Sequence, residues 1–409
     1  MGVRVRVSAF GAPAVAALGE ELATAQGADP LAPVTVVVPT NSAGVLTRRA
    51  LARHRGIANV QFVTVFRCAE LLAGPRIVAS GRRPLTTPVL AATVRTLLAE
   101  SPGRLGSVGS HEATVDAARR TYRELRDLPQ PALDRLAGGS TMAGEALRLH
   151  TDLRRALGSN WYDEADLLTE AVRFVQSEPE RTRRRFGTVI VHLPERLSWS
   201  SRRLLDALGD VTSVVLLPGA TGDPTGDHDV RALVSSIAGP VTWPTPQVTA
   251  RVEVVDVSDA DDEVRVAIRR VVDAARAGVP LERVAVLWTT PDPYQRALAH
   301  ALDAAGIPWN GTSPIRTAER LAGRAVLGAL RVDRAGFRRR DVFAWLASCR
   351  PYIPGGGRAP VPEWERISRD VGLDRWPWDE RLVPRIAAER ERAGEALATG
   401  RTELADAAE

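Results

Sequence analysis

Three times between Val3 and Gly74 a short apolar run leads through a turn into a helical pattern, and this alternation constrains the fold more than any other feature. The stretch VRVRVSAFGAPAVAALGEEL (Val3–Leu22) is followed by VTVVVPT (Val34–Thr40) with NSAGVLTRRALARH, and then by NVQFVTVF (Asn59–Phe66) with RCAELLAG. Repeated strand-then-helix units predict a parallel sheet, because parallel neighbours need a long crossover and a helix supplies it. From Gly74 to Arg185 the pattern turns mostly helical, as in PVLAATVRTLLAE and HEATVDAARRTYRELRDL, and reads as a helical insertion. Strand and helix resume with GTVIVHLP (Gly187–Pro194), SWSSRRLLDALG and VTSVVLLPG, and the Gly/Asp/Pro-rich TGDPTGDHD precedes a domain end near Pro246. A second unit opens at about Arg251 with the strand pattern RVEVVDVSD. A helix with acidic residues in its first turn, where they complement the helix dipole, leads to a further strand, RVAVLWTT. The expected organisation is an α/β domain from residues 1–75 and 185–246, a helical insertion at 76–184, a second α/β domain starting at 251–331, and a second, Arg-rich helical insertion at 332–409.

At 409 residues and 44% hydrophobic content, the chain is long enough for roughly two to three domains with cores of their own. No window reaches the ~20 apolar residues of a membrane span, and no secretory leader pattern opens the chain, so no membrane partner and a cytoplasmic location are expected. Cys68 and Cys349 are too few and too far apart in sequence for a disulfide framework or a metal cluster, and read as buried small residues. All 54 basic residues are arginine; there is no lysine. A Walker A loop needs a lysine to reach the β- and γ-phosphates, so no ATPase site of that kind can be built here. The net charge of +5 suits a nucleic-acid partner, and equally suits a surface on which it means little.

Four segments, in order, resemble motifs of the UvrD-like superfamily 1 DNA helicases, and more closely the AddB-type subunit of bacterial helicase-nucleases. VVVPTNSAGVLTRRAL looks like the second helicase motif, and VQFVTVFRCAELL is similar to the next strand, whose end lies against single-stranded DNA in such motors. VIVHLPERLSWSSRRLLDALGDVTSVVLL sits where the Walker B strand, its helix and the following strand belong. DDEVRVAIRRVVDAARAGVPLERVAVLWTTPDPYQRALAHALDAAGIPWNGTSPI resembles the start of a second motor domain. The resemblance implies an α/β fold of RecA-like parallel-sheet domains with helical insertions. It also implies a PD-(D/E)XK nuclease, which needs a lysine and would lie beyond this chain, so the sequence reads as an N-terminal portion of a longer protein.

Against that pattern the triphosphate groups are missing. The first turn is Phe10-Gly11-Ala12-Pro13-Ala14, in which Gly11, Ala12 and Pro13 stand in a degenerate Walker A loop, and Pro13 also removes an N–H. The Walker B position reads His192-Leu193-Pro194-Glu195 in place of Asp-Glu; a histidine suits Mg²⁺ poorly and at a strand end is commonly structural. Where an arginine often follows the strand of the second motor domain, the chain has Trp288-Thr289-Thr290. The implied reading is a helicase-like fold without ATP hydrolysis, with no cofactor in this chain.

By the same resemblance Thr40 and Asn41, Arg48, and Thr64, Phe66 and Arg67 would contact single-stranded DNA. Pro-Thr-Asn-Ser before a helix is also an ordinary helix cap, and Phe66 reads equally as a core residue of its strand. Two clusters, Arg181, Arg183, Arg184 and Arg185, and Arg331, Arg334, Arg338, Arg339 and Arg340, fit either a phosphate stripe or the wet side of a helix. Trp364, Trp376 and Trp378 suit base stacking or a core. The expected function is a non-catalytic region of a DNA repair and recombination helicase-nuclease that holds single-stranded DNA for an active helicase subunit. The alternative is an α/β protein-interaction scaffold that touches no DNA.

Overall fold

The computed structural model describes residues 2–54, 56–245, 252–311, 317–375 and 379–398, and the chain divides into two units, Met1–Arg251 and Val252–Glu409. The first is an α/β unit around a five-stranded sheet. Strands β1 (Val3–Val5), β2 (Val34–Val37), β3 (Val60–Val63), β4 (Thr188–His192) and β5 (Val214–Leu217) lie in the order β1-β5-β4-β2-β3, every pair parallel. Val36 stands beside Phe62 on one side and Ile190 on the other, which fixes β2 in the interior of the sheet.

The strands are nearly all apolar because both sheet faces are covered. Helices α1 (Ala12–Gln26) and α2 (Asn41–Ala52) place Leu18, Leu22 and Leu51 on Val34, Val36, Ile190, Val215 and Leu217. The intervening positions, Val37, Val189, Val191, Val214 and Leu216, face the opposite side, where α3 (Val65–Ala79) brings Cys68, Leu72 and Ile77. The third apolar run therefore divides differently from its sequence pattern. Only Val60–Val63 pair as a strand, Thr64 caps α3, and Phe66 already belongs to the helix.

A second core forms between helices α4 (Thr87–Glu100), α5 (Glu112–Arg126) and α7 (Thr141–Leu157), with α6 (Gln130–Ala137) against α7. Leu90, Val94, Val115, Tyr122, Leu149 and Leu153 fill it, separately from the sheet cores. Helix α8 (Glu164–Ser177) packs instead on α3, and α9 (Pro179–Phe186) leads into β4. Between α9 and β4, Gly187 takes a φ of 57°, and a Cβ there would sit 1.6 Å from the Pro33 carbonyl oxygen, so no other residue fits. Helix α10 (Trp199–Val211) completes the layer beside α8, and α11 (His228–Ile237) follows the loop rich in Gly and Asp. Asp227, buried at the end of that loop, accepts the N–H groups of Thr221 and Gly222 and the Thr221 hydroxyl, so its role is to hold the loop.

Two polar links join the helical core to the sheet layer. Asp127, just past α5, accepts the Trp199 and Ser200 N–H groups at 2.9 and 3.0 Å and so caps α10 from 72 residues away. Arg126 forks onto Asp163 at 2.6 and 3.0 Å and reaches Asp166 at 2.7 Å, while Asp163 caps α8. Burial alone would raise the Asp163 carboxyl; the guanidinium beside it holds it below the usual range.

In the second unit the expected strands are not built. The runs RVEVVDVSD and RVAVLWTT have no strand pairing among the described residues, and Val252, Val254 and Leu287 are 80%, 90% and 91% exposed. Helix α12 (Ala260–Arg276), capped by Asp259 with Asp261, Asp262 and Glu263 in its first turn, forms as the sequence predicts and packs on α13 (Tyr294–Ala304). Then come α14 (Leu321–Arg334), α15 (Arg339–Cys349), a hairpin of Tyr352–Ile353 and Gly357–Arg358, α16 (Val361–Asp370) and α17 (Asp379–Ala398). Phe343, Ala359, Val361 and Leu373 form a small core there. Cys349 is half-buried and Cys68 fully buried, its thiol pushed up to about 12 by burial. No helix among the described residues is long and apolar enough to cross a membrane.

Candidate nucleic-acid interface

Because the five strands are parallel, their carboxyl ends, the edge at which open α/β sheets bind ligands, all face one way. The turn after β1 leads into α1. Past the pair Ser8–Ala9, which bonds to Gly219–Ala220, only Phe10 and Gly11 intervene before α1. Gly11, at a φ of 87°, caps the helix, Pro13 lies in its first turn, and among the described residues no side chain caps the free N–H groups. A Walker A loop has four residues between its first glycine and Gly-Lys and wraps phosphate with successive N–H groups, whereas this turn has neither the length nor the cation.

The fourth turn is equally closed to phosphate. His192 is 1% exposed, on the α1 side of the sheet with Ile190 two residues before it, and neither ring nitrogen has a hydrogen-bond partner among the described residues. Burial drives its pKa down to about 4, so the imidazole is neutral at physiological pH. Leu193 and Phe10 converge over Gly219: a Cβ on that glycine would lie 2.7 Å from Leu193 Cδ2 and 2.9 Å from Phe10 Cδ2. The space between the first and fourth turns is thus apolar. Glu195 is exposed, three residues past His192. Among the described residues no three His, Cys, Asp or Glu side chains come together in a group that could hold a metal ion.

At the second and third turns two of the expected DNA contacts, Thr40 and Thr64, cap the helices that follow. Thr40 Oγ1 accepts the Ala43 N–H at 3.1 Å and Thr64 Oγ1 accepts the Arg67 N–H at 3.2 Å. Arg67 pairs with Glu70 at 3.0 Å. Asn41 is exposed at the start of α2, and Arg48 is exposed on the same helix with Arg49, neither arginine having an ion-pair partner among the described residues. Phe66 is 42% exposed, so it is not a core residue.

Two aromatic groups at this edge were not legible as candidates. Phe10 is 55% exposed beside the first turn, and Trp199, 41% exposed at the start of α10, carries the Arg203 guanidinium 4.8 Å over its ring. The signal for both was position: an aromatic residue immediately after a strand turn or at the first residue of the next helix. At about 4.8 Å per strand the outer turns, with Phe10 and Phe66, stand about 19 Å apart.

The first arginine cluster is not at this edge. Arg181, Arg183, Arg184 and Arg185 lie on α9, which feeds the amino end of β4, the opposite edge of the sheet. Arg183 there pairs with Glu180 and donates to the Val211 carbonyl, and Arg181 lies over the Phe174 ring. Arg331, Arg334, Arg338, Arg339 and Arg340 belong to the second unit. Trp288 there lines a 360 Å³ cavity with Glu263 and Tyr294. Trp364 is 38% exposed on α16, while Trp376 and Trp378 lie outside the described residues. Compared with known protein families and with curated proteins, the chain matches none.

Proposed function

We propose that the chain is the non-catalytic, helicase-like region of a DNA repair and recombination helicase-nuclease. Its first unit would be a degenerate RecA-like domain holding single-stranded DNA at processed double-strand-break ends for an active helicase subunit. The observation that carries this reading is the carboxyl edge of the parallel sheet. The turns at the Walker A and Walker B positions are closed by Phe10, Leu193 and a neutral buried His192, while exposed Phe66 and Trp199 remain along or near the same edge, and Arg48 and Arg49, exposed and without an ion-pair partner among the described residues, lie farther along α2. Aromatic rings with interspersed cations suit sequence-independent binding of single strands, by stacking on bases and neutralising phosphates.

Anisotropy of a fluorescent oligothymidine tests it. Binding is expected to weaken at least tenfold between roughly 50 and 200 mM salt, and to weaken further in F66A/W199A and R48A/R49A, with no ATP turnover. Binding that is absent, or that ignores salt and both variants, overturns the reading.

A second reading, a protein-interaction scaffold, is favoured by the caps. The Thr40 and Thr64 hydroxyls and the Arg67 guanidinium are already engaged within the fold, and Val45 and Leu46 on α2 are 51% and 65% exposed. An apolar strip of that kind suits a protein partner better than a phosphate backbone.

A further inference from the structure

We infer that the second unit carries a phosphate-binding pocket formed by Arg338, Arg340 and Arg375, with Arg339 as its anchored base. Three consecutive arginines alone would read as the solvated start of a helix, and along a single helix face that reading would suffice. Here two chain segments converge. A backbone bridge pairs Arg338 with Arg375 in antiparallel fashion, and the Arg339 N–H donates to the Asp374 carbonyl at 2.8 Å. Arg338, Arg339, Arg340 and Arg375 thereby line a 310 Å³ cavity in which Asp374 is the one carboxylate-bearing residue among the described residues.

Their partners differ. Arg339 is 23% exposed, donates through Nε to the Leu373 carbonyl at 3.0 Å and lies 3.8 Å from Glu365, so it is committed to the fold. Arg340 has Asp341 at 3.5 Å. Arg338 and Arg375 have no acidic partner among the described residues, although most arginines of α5, α7 and α8 are matched to a carboxylate. Like charges held together by a fixed backbone repel until an anion enters, and planar guanidinium forks match the tetrahedral oxygens of phosphate. The excess of positive groups favours a doubly charged phosphate, free or at the end of a nucleic acid, over the singly charged phosphodiester of a chain interior. Arg331 and Arg334, in the last turn of α14, do not line the pocket and serve as a control. The proposal does not depend on DNA binding by the first unit.

Calorimetric titration of the full chain with inorganic phosphate at pH 7.5 and low salt tests it. Binding is expected to weaken at least tenfold in R338A/R375A, several-fold in R338K/R375K, which keeps charge but loses the forks, and several-fold in the wild type at pH 5.5, where the ligand is a monoanion. R331A/R334A is expected to bind as the wild type does. Displacement of phosphate by a 5′-phosphorylated oligothymidine, but not by its unphosphorylated counterpart, identifies a nucleic-acid end as the source; displacement by neither identifies free phosphate. No binding to the wild type, equal binding by R338A/R375A, full binding by the lysine pair, or equal loss in R331A/R334A each overturns the pocket. Far-UV circular dichroism checks that the variants fold, and the lysine pair decides the matter if the alanine pair does not.

Discussion

The two units begin from the same pattern and end differently. In the first, β2 lies between β3 and β4, and helices bury both of its faces. In the second, RVEVVDVSD, α12 and RVAVLWTT have the same order of strand, helix and strand patterns, yet among the described residues the two runs are unpaired, and Val252, Val254 and Leu287 are exposed. A helix closes its own hydrogen bonds, so its sequence suffices to form it. A strand borrows its bonds from neighbours, and an apolar alternation becomes a strand only where those neighbours are present.

The largest test of this contrast is a carboxylate on each side of it. Ile190→Asp places an unpaired charge in a fully buried position of β4 and is expected to cost more than about 4 kcal/mol, abolishing the cooperative urea transition of the first unit. Val254→Asp, at a position 90% exposed, is expected to change stability by less than about 0.5 kcal/mol. A large loss from the second substitution would mean that the run is paired in solution.

Glycines sharpen the comparison at the next level. Gly187→Ala drives a Cβ into the Pro33 carbonyl oxygen, and an expected loss of about 3 kcal/mol or more would appear as a lowered urea midpoint. Gly278→Ala, at a φ of 83° with nothing within 4 Å of the added carbon, carries only the left-handed penalty of about 1–2 kcal/mol.

What was legible in the sequence follows the same physics. All five strands of the first sheet could be read from apolar runs, and α12 from its acidic first turn, because these signals are local. The end of the third strand was not, since the Thr64 cap competes with pairing and wins, turning Phe66 out into a helix. Thr40 was readable as a cap as well as a contact, and its hydroxyl does accept the Ala43 N–H. Asp127 could not be found at all, because it caps a helix 72 residues away, and neither could the meeting of Arg375 with Arg338. Phe10 and Leu193 were read as the debris of a phosphate site; their convergence over Gly219 is a contact across strands that no one-dimensional pattern carries.

Acid separates the units a third way. His192 is buried and neutral, with its pKa lowered to about 4 by burial, and His150, 5% exposed against the Tyr122 ring, is lowered to about 4 as well, burial being the first cause and Arg154 the second. An unfolded histidine takes up its proton near pH 6.5 and the folded one only near 4, so stability is full above the former and falls as pH drops between the two. The loss is about 3 kcal/mol for His192. His300 in the second unit is exposed. Urea midpoints from pH 7 to 4.5 are expected to fall for the first unit and to fall less in His192→Leu; identical slopes in variant and wild type would place His192 in contact with water.

The smallest effect concerns how the first unit joins its own halves. Asp127→Ala removes the acceptor of two N–H groups at the start of α10, of which Ser200 is buried, and a lost cap costs about 1–2 kcal/mol. If the helical core and the sheet unfold together, the single urea transition shifts by that amount and stays single. If Asp127 is what couples them, the transition splits, and hydrogen exchange at Trp199 to Ser201 accelerates ahead of the β4 amides. The contrast drawn between the units would then apply inside the first one too, with the sheet completed by its neighbours and the helices of the insertion held to it by a few polar bonds.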